Sequence, residues 1–397
     1  MVDAQLIGLA MIVGGIAALV LMLYVQWRAA RKAREGAYPP APTAEQIAAE
    51  RRAVAEAAAD VGAADDEVTG LFLYPIKSCA QVPVQAATFD ARGFRNDRRW
   101  MVVNASGRFQ SQRVLPRMCL ITPVLRCATA GDLSTRAVSV ELTAPGVGPL
   151  VVPVVTAAAA AKQGTCVYAC SVWSSAVHGA VDQGAAAAAW LDAFLGTTGL
   201  RLVYMDPAHT RRAAPAKFIA RSPHAFVQRG ASATASFADG FPFLLTSEES
   251  LADLNARIAA RHDGDADAAP LPMRRFRPNI MVRRRGGGGG GGSGGGGGSG
   301  WREDGWAELA IGQKGRLFRF FGVKKCSRCK LTTNNPDTGE LGGDLAEPLA
   351  TLRTFRVDGK DGVYFGQNLA PARVPATGTL RVGDGVRVLR DVGATPV

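Results

Sequence analysis

The first pattern along the chain is an absence of polarity. From Leu6 to Val25, "LIGLAMIVGGIAALVLMLYV", no residue carries a charge. A helix of about 20 such residues, rising about 1.5 Å per residue, covers the roughly 30 Å apolar core of a bilayer. Asp3 lies ahead of the run, and Arg28, Arg31, Lys32 and Arg34 follow it, with Tyr24 and Trp27 at the interface. This asymmetry predicts a transmembrane anchor over residues 1–27 with the rest of the chain on the cytosolic side. A cleaved signal peptide would carry its positive charge before the apolar run, the reverse of what is found.

Residues 28–66 then turn polar. "TAEQIAAERRAVAEAAAD" is rich in Ala, Glu and Arg and predicts a short solvated helix, a stalk between membrane and domain. From Leu71 the period drops to two. "LFLYPIKS", "VPVQAATF", "RRWMVV", "GRFQSQ", "CLITPVL", "AVSVEL" and "PLVVPVV" follow in quick succession, separated by turn residues. Strands so closely spaced predict a barrel or sandwich. "GAAAAAWLDAFLG" predicts a helix capped by Gly196, and "LRLVYM" a strand. In "LTSEESLADLNARIAARH", Thr246 with Glu249 reads as a capping box, and Leu251, Leu254 and Ile258 as the buried stripe. Strands resume at "NIMV", "WAELAIG" and "RLFRFFGV", and "TLRVGDGVRVL" reads as a hairpin around Asp384-Gly385.

The expected fold is mainly β with a few helices (α+β): one β-barrel-like domain over 67–183 and a second β-rich domain over 184–392. Residues 286–300, "GGGGGGGSGGGGGSG", interrupt the second as a floppy surface insertion, since glycine loses most entropy on ordering. No GxGxxG follows a strand and no P-loop lysine is present, so a nucleotide-binding fold is not indicated.

Composition narrows the function. The net charge of +12 favours anionic ligands or surfaces. It is not gathered in one basic run, and no nucleic-acid motif accompanies it, so nucleic acid is not an expected partner. Seven cysteines in 397 residues form no compact disulfide framework and suggest a reducing compartment. Four scattered histidines exclude a histidine-rich metal site.

The chemistry concentrates in "KKCSRCKLTTNNPDTGE". Cys326 and Cys329 could be a redox dithiol, half of a zinc site completed by Cys166 and Cys170, or one thiolate ligand with a bystander. Lys324, Lys325, Arg328 and Lys330 around them favour a thiolate and would attract a phosphate-bearing cofactor. Spacing alone leaves these readings open.

Taken together, "LYPIKSC", "FRPNIMV" and "CSRCKLTTNNPDTGE", in that order, resemble the MOSC family, and within it the membrane-anchored amidoxime-reducing branch. "DRRW" and "FLLTSEESLADLN" add to the resemblance, which covers about residues 68 to 390. The two β-rich domains would then be the MOSC N-terminal β-barrel domain and the MOSC domain. The resemblance implies a molybdenum cofactor (Mo-molybdopterin), its metal held by the pterin dithiolene and by the second cysteine of the motif, Cys329. Cys326 would be a neighbour. Lys77, Ser78, Arg98, Thr246, Ser247, Arg277, Asn279, Ser327 and Arg328 would contact the pterin or its phosphate. Where the family has "FGQY", with the tyrosine reaching the cofactor, this chain has "FGQN", so Asn368 could replace at most a hydrogen bond.

The implied activity is reduction of N-hydroxylated compounds such as amidoximes and hydroxylamines, with nitrite reduction to nitric oxide alongside it. Electrons would come from NADH through cytochrome b5 reductase and cytochrome b5, at the mitochondrial outer membrane or the endoplasmic reticulum. The alternative is a MOSC-type cofactor carrier or sulfur-handling module without reductase activity. MOSC domains also occur fused to pyridoxal-phosphate sulfurases, for whose large domain this chain is expected to have no room.

Overall fold

The computed structural model describes residues 43–60, 63–129, 132, 135–163, 167–210, 212, 234–262, 270–286, 300–357, 362–372 and 377–393. The expected anchor and the glycine run 287–299 lie outside them. Among the described residues no helix is long and apolar enough to cross a membrane.

The chain opens with helix α1 (Ala44–Asp60), then strands β1 (Asp66–Leu73), β2 (Val82–Val84), β3 (Ala86–Asp90), β4 (Gly93–Phe94) and β5 (Trp100–Val103). Strands β6 (Thr122–Cys127), β7 (Ala137–Ala144) and β8 (Val147–Pro153) lead to helix α2 (Ala157–Gln163), β9 (Val167–Val172) and β10 (Ser175–Asp182). Helix α3 (Ala185–Leu195), β11 (Arg201–Met205), β12 (Phe243–Ser247), helix α4 (Glu248–Arg261) and β13 (Ile280–Arg284) follow. The last elements are β14 (Trp306–Gln313), β15 (Arg316–Arg328), helix α5 (Leu349–Phe355), β16 (Val363–Pro371), β17 (Gly378–Arg381) and β18 (Gly385–Asp391).

Seven strands close into a barrel in the order β13-β12-β16-β15-β14-β18-β1, with β2 appended to β1. The closing seam pairs Asp66 with Arg284 and Leu71 with Ile280, antiparallel. Only the β12–β13 pair of the barrel is parallel, and α4 makes the crossover that a parallel pair needs. Inward residues such as Val68, Leu71, Phe243, Leu309, Phe320 and Leu369 form one buried core. Phe89, from the small sheet β17-β3-β4, packs against Phe243 and Phe320 with ring centroids 6.1 and 5.4 Å away. Aromatic edges inserted this way add stability beyond the area they bury.

The first half of the chain builds a four-stranded sheet, β5-β11-β10-β9, and a three-stranded one, β6-β7-β8. Alternation explains why "RRWMVV" is apolar throughout. Trp100 and Val102 join the core shared with β7 and α3, while Met101 and Val103 face Val177 and Phe237 on the other side. α3 and β11 bury apolar residues, Leu191, Phe194 and Leu202 among them, in the core of these first-half strands. Gly196 does cap α3, in the left-handed conformation, with φ 66°.

Three local expectations are corrected. The α1 helix forms but is not solvated throughout: Val54 and Ala58 are buried against Ala310 of β14, and Glu50 pairs with Arg319 at 3.2 Å. The hairpin around Asp384-Gly385 does not form. β17 pairs with β3 and β18 pairs with β14, because barrel closure outbids the local turn. The cap of α4 is one residue later than expected: Ser247, not Thr246, accepts the N–H of Ser250 at 3.3 Å. Of the expected stripe, Leu254 and Ile258 are buried, and Leu251 packs against them only partly buried.

Under the barrel wall, Glu303 is fully buried, with Ser250 Oγ 2.7 and 2.9 Å from its two carboxylate oxygens. Burial, aided by neighbouring Asp304, pushes its carboxyl up to about 7. The folded protein thus holds a proton that the unfolded chain releases at the ordinary value of about 4.3, and stability falls as pH rises through that window. Glu303→Gln should stabilise the fold relative to wild type at pH 8 and change it little at pH 5. Urea unfolding at both pH values checks this, and equal shifts at both would contradict it.

Candidate functional site

Closing the barrel with β1 carries the "YPIKS" turn across its end, where the last residues of β15 and the "FRPN" turn before β13 also arrive. The tip of the β9–β10 hairpin and the 108–113 segment complete a cavity of about 690 Å³. Of the expected contacts, Lys77, Ser78, Arg98, Arg277, Asn279, Ser327, Arg328, Cys329 and Asn368 all line it. Thr246 and Ser247 do not. Ser247 is occupied as the helix cap, and Thr246 is fully buried on β12.

Strand β15 runs on through Cys326 to Arg328, and Cys329 ends it in extended conformation before a 3-10 turn over Lys330–Thr333. That turn is held from outside. Arg275 donates to the carbonyls of Thr333 and Asn334 at 3.0 and 3.2 Å, and Asn334 Nδ2 donates to Pro116 O at 3.0 Å. The segment "TTNNPDTG" thereby fixes where the Cys329 sulfur sits.

The two sulfurs have different partners. Arg113 donates Nε and Nη2 to Cys329 Sγ at 3.2 and 2.9 Å. Arg328 donates Nη1 to Cys326 Sγ at 2.9 Å and Nη2 to Phe276 O at 2.7 Å. Each sulfur is thus held by a different guanidinium, and both line the cavity. The zinc alternative gains nothing: Cys170 is buried in the four-stranded sheet, and Cys166 lies outside the described residues. Among the described residues no three His, Cys, Asp or Glu side chains are grouped to hold a metal.

The cavity is cationic. Lys77, Arg98, Arg108, Arg113, Arg277, Lys324 and Arg328 line it against one carboxylate, Asp239. Several are fixed in place. Arg98 and Arg277 both pack on the Tyr74 ring, 4.4 and 4.3 Å from its centroid, and Arg98 pairs with the buried Asp97 carboxylate at 2.7 Å. Arg98 also donates to Asn279 Oδ1 at 2.9 Å, and Arg277 to Cys79 O at 2.8 Å. Burial lowers the Arg277 pKa below its ordinary value and raises the Tyr74 hydroxyl and the Cys79 thiol, the last to about 12. Lys77 Nζ pairs with Asp239 and donates to Phe237 O at 3.0 Å. Burial brings Lys77 down to about 8, while the ammonium holds the Asp239 carboxyl well below the usual range.

Ser78, Arg98, Trp173 and Arg277 take positive φ, 69, 47, 55 and 59°, which side chains seldom adopt. Such strain collects where a cavity wall must present particular groups. At Gly366, in "YFGQN", a Cβ would lie 2.7 Å from Leu245 O. Only glycine lets β16 pass so close to β12 and deliver Asn368, whose Nδ2 donates to Lys324 O at 3.3 Å. Sequence reasoning missed Arg113, Trp173 and Asp239. Each is distant in sequence from the cysteines, and only folding brings them there.

The end of a closed barrel thus brings two cysteines, each held by a guanidinium, to a cavity lined by cations. Comparison with known proteins adds the family. Residues 66–198 match the family model for the MOSC N-terminal beta barrel domain, and residues 232–387 match that for the MOSC domain. The mitochondrial amidoxime-reducing component 1 of Homo sapiens is 33% identical over 331 residues, 81% of this chain and 82% of that protein. The mitochondrial amidoxime reducing component 2 of Bos taurus is 30% identical, over 80% of this chain and 82% of that one. The molybdenum cofactor sulfurase of Bos taurus is 29% identical over 79% of this chain but only 32% of its own length. The chain belongs to the MOSC family, on its amidoxime-reducing-component branch.

Removing Asp239 strips the counterion from a buried ammonium. That loss costs about 3–5 kcal/mol for a fully buried pair, and less here because the Asp239 carboxylate opens onto the cavity, its side chain 57% exposed. Asp239→Ala should lower unfolding free energy by about 1–2 kcal/mol at pH 7, with less loss at pH 9 where Lys77 is already largely neutral. Denaturant titration reads both.

Proposed function

We propose that this protein is a molybdenum-cofactor-dependent reductase of N-oxygenated compounds. The observation that carries the reading is the Cys329 sulfur, held by two N–H donors of Arg113 at the wall of a cavity lined by cations. The donor set fits the cofactor. A soft sulfur suits molybdenum, and guanidinium groups suit a phosphate. Arg328 Nε is buried without a partner, so it can take a further acceptor.

In this reading Cys329 is the protein's metal ligand, and Arg113 fixes its orientation. Lys77, Ser78, Arg98, Arg277, Asn279, Ser327 and Arg328 hold the pterin and phosphate, and Asn368 offers an amide at the same wall. When bound, the cofactor supplies the two-electron chemistry that removes oxygen from the substrate. Reducing a hydroxylamine to an amine and water consumes two electrons and two protons. The low content of competing carboxylates keeps the cavity attractive to anions, which also suits nitrite.

The electron donors in this proposal are cytochrome b5 and its NADH-dependent reductase. The net charge of +12 suits an acidic haem partner. The apolar run Leu6–Val25 would anchor the chain in the mitochondrial outer membrane, facing the cytosol, and sharing a membrane raises the partners' effective concentration.

The test is elemental and pterin analysis of the purified protein, with benzamidoxime reduction by NADH, cytochrome b5 reductase and cytochrome b5. About one molybdenum per chain and turnover to benzamidine are expected. Zinc in place of molybdenum contradicts the proposal, and bound molybdenum with no reduction points to a carrier instead.

A further inference from the structure

Trp173 is an unusual wall residue. It is the first of the two residues that turn the β9–β10 hairpin, between paired Val172 and Ser175. Its backbone is left-handed, with φ 55°, and its side chain is half exposed within the cavity lining. A large aromatic placed at a backbone cost and left open to a cavity is not there for the core.

Three contacts lock the indole. Its N–H donates to Asp239 Oδ1 at 3.0 Å. Its ring meets Phe109 edge-on, with centroids 5.2 Å apart. The Arg113 guanidinium lies 4.7 Å from its centroid. That same guanidinium holds Cys329 Sγ. The indole is thus a rigid, half-exposed ring one guanidinium removed from the Cys329 sulfur, in a cavity that combines cations with aromatic residues such as Phe109 and Phe276.

We propose that Trp173 is a specificity-determining residue: its indole is the platform on which the flat, conjugated body of a substrate stacks while the N–O group points towards Cys329. This rests on the reductase reading above and assigns to one residue, Trp173, the discrimination between flat conjugated substrates and compact ones. A planar π-system, or a delocalised cation such as an amidine, gains stacking and cation–π energy on an indole face that a compact ion such as nitrite cannot. Phe109 and Asp239 keep the platform from rotating, so little ordering entropy opposes binding.

The test compares Trp173→Ala and Trp173→Phe with wild type as isolated holoprotein. The ratio of kcat/KM for benzamidoxime to that for hydroxylamine should fall about tenfold in Trp173→Ala and stay within about threefold in Trp173→Phe, which keeps a ring but loses the N–H. Calorimetric binding of benzamidine should weaken in the same order, whether or not turnover occurs. An unchanged ratio in Trp173→Ala overturns the proposal. So does a Trp173→Phe protein as impaired as Trp173→Ala, which assigns the role to the tether on Asp239. If no N-oxygenated compound is reduced yet benzamidine binding still depends on the ring, the platform stands and the reductase reading fails.

Discussion

The pairing of β1 with β13 is the constraint on which the rest depends. Asp66–Leu73 must cross the sequence to lie against Ile280–Arg284 before the barrel can close. Once it does, the turn after β1 is carried to the end of β15, and Lys77 and Ser78 arrive in the same cavity as Ser327, Arg328 and Cys329. The seam is reinforced by side chains that serve both fold and site. Asn279, nearly fully buried, donates to Phe72 O at 3.1 Å on β1 while its Oδ1 accepts from Arg98 at 2.9 Å. A residue that stitches two strands together also aims a cation into the cavity.

Concentrating so many cations in one wall is costly unless each is supported. Two of the cations have a carboxylate beside them, Asp97 for Arg98 and Asp239 for Lys77, and the rest of the support is spread over other groups. Aromatic rings and backbone carbonyls carry it: Tyr74 against Arg98 and Arg277, Phe276 O accepting from Arg328, and Phe237 O accepting from Lys77. Apart from Asp97, whose buried carboxylate pairs with Arg98 at 2.7 Å, and Asp239 beside Lys77, the acceptors are neutral and leave the field of the cations in place. The result is a site preorganised for an anionic group, with Cys329 at its edge and Asp239 as the single opposing charge in the lining.

Much of this was legible in the sequence because it is local. Period-two runs such as "RLFRFFGV" and "LRLVYM" became strands, Gly196 became a cap, and the motifs "PIKS", "FRPN" and "CSRC" converged as the resemblance implied. What escaped was set by long-range contacts. The Asp384-Gly385 turn signal was sound locally, but β17 and β18 each found better partners in different sheets. The α1 helix looked polar, yet two small apolar residues, Val54 and Ala58, sufficed to dock it on the barrel. Arg113 sits in a stretch that reads as strand and turn, 216 residues from Cys329, and no periodicity announces that its guanidinium will reach that sulfur.

The central claim is that one sulfur of the pair, Cys329, is the protein's link to the metal, and that Cys326 is not. X-ray absorption at the molybdenum edge of the isolated protein tests it most directly, by counting sulfur neighbours in wild type, Cys329→Ser and Cys326→Ser. The account predicts that Cys329→Ser loses one sulfur neighbour, or the metal altogether, and that Cys326→Ser matches wild type. A sulfur lost from Cys326→Ser instead, or from both variants alike, would contradict it.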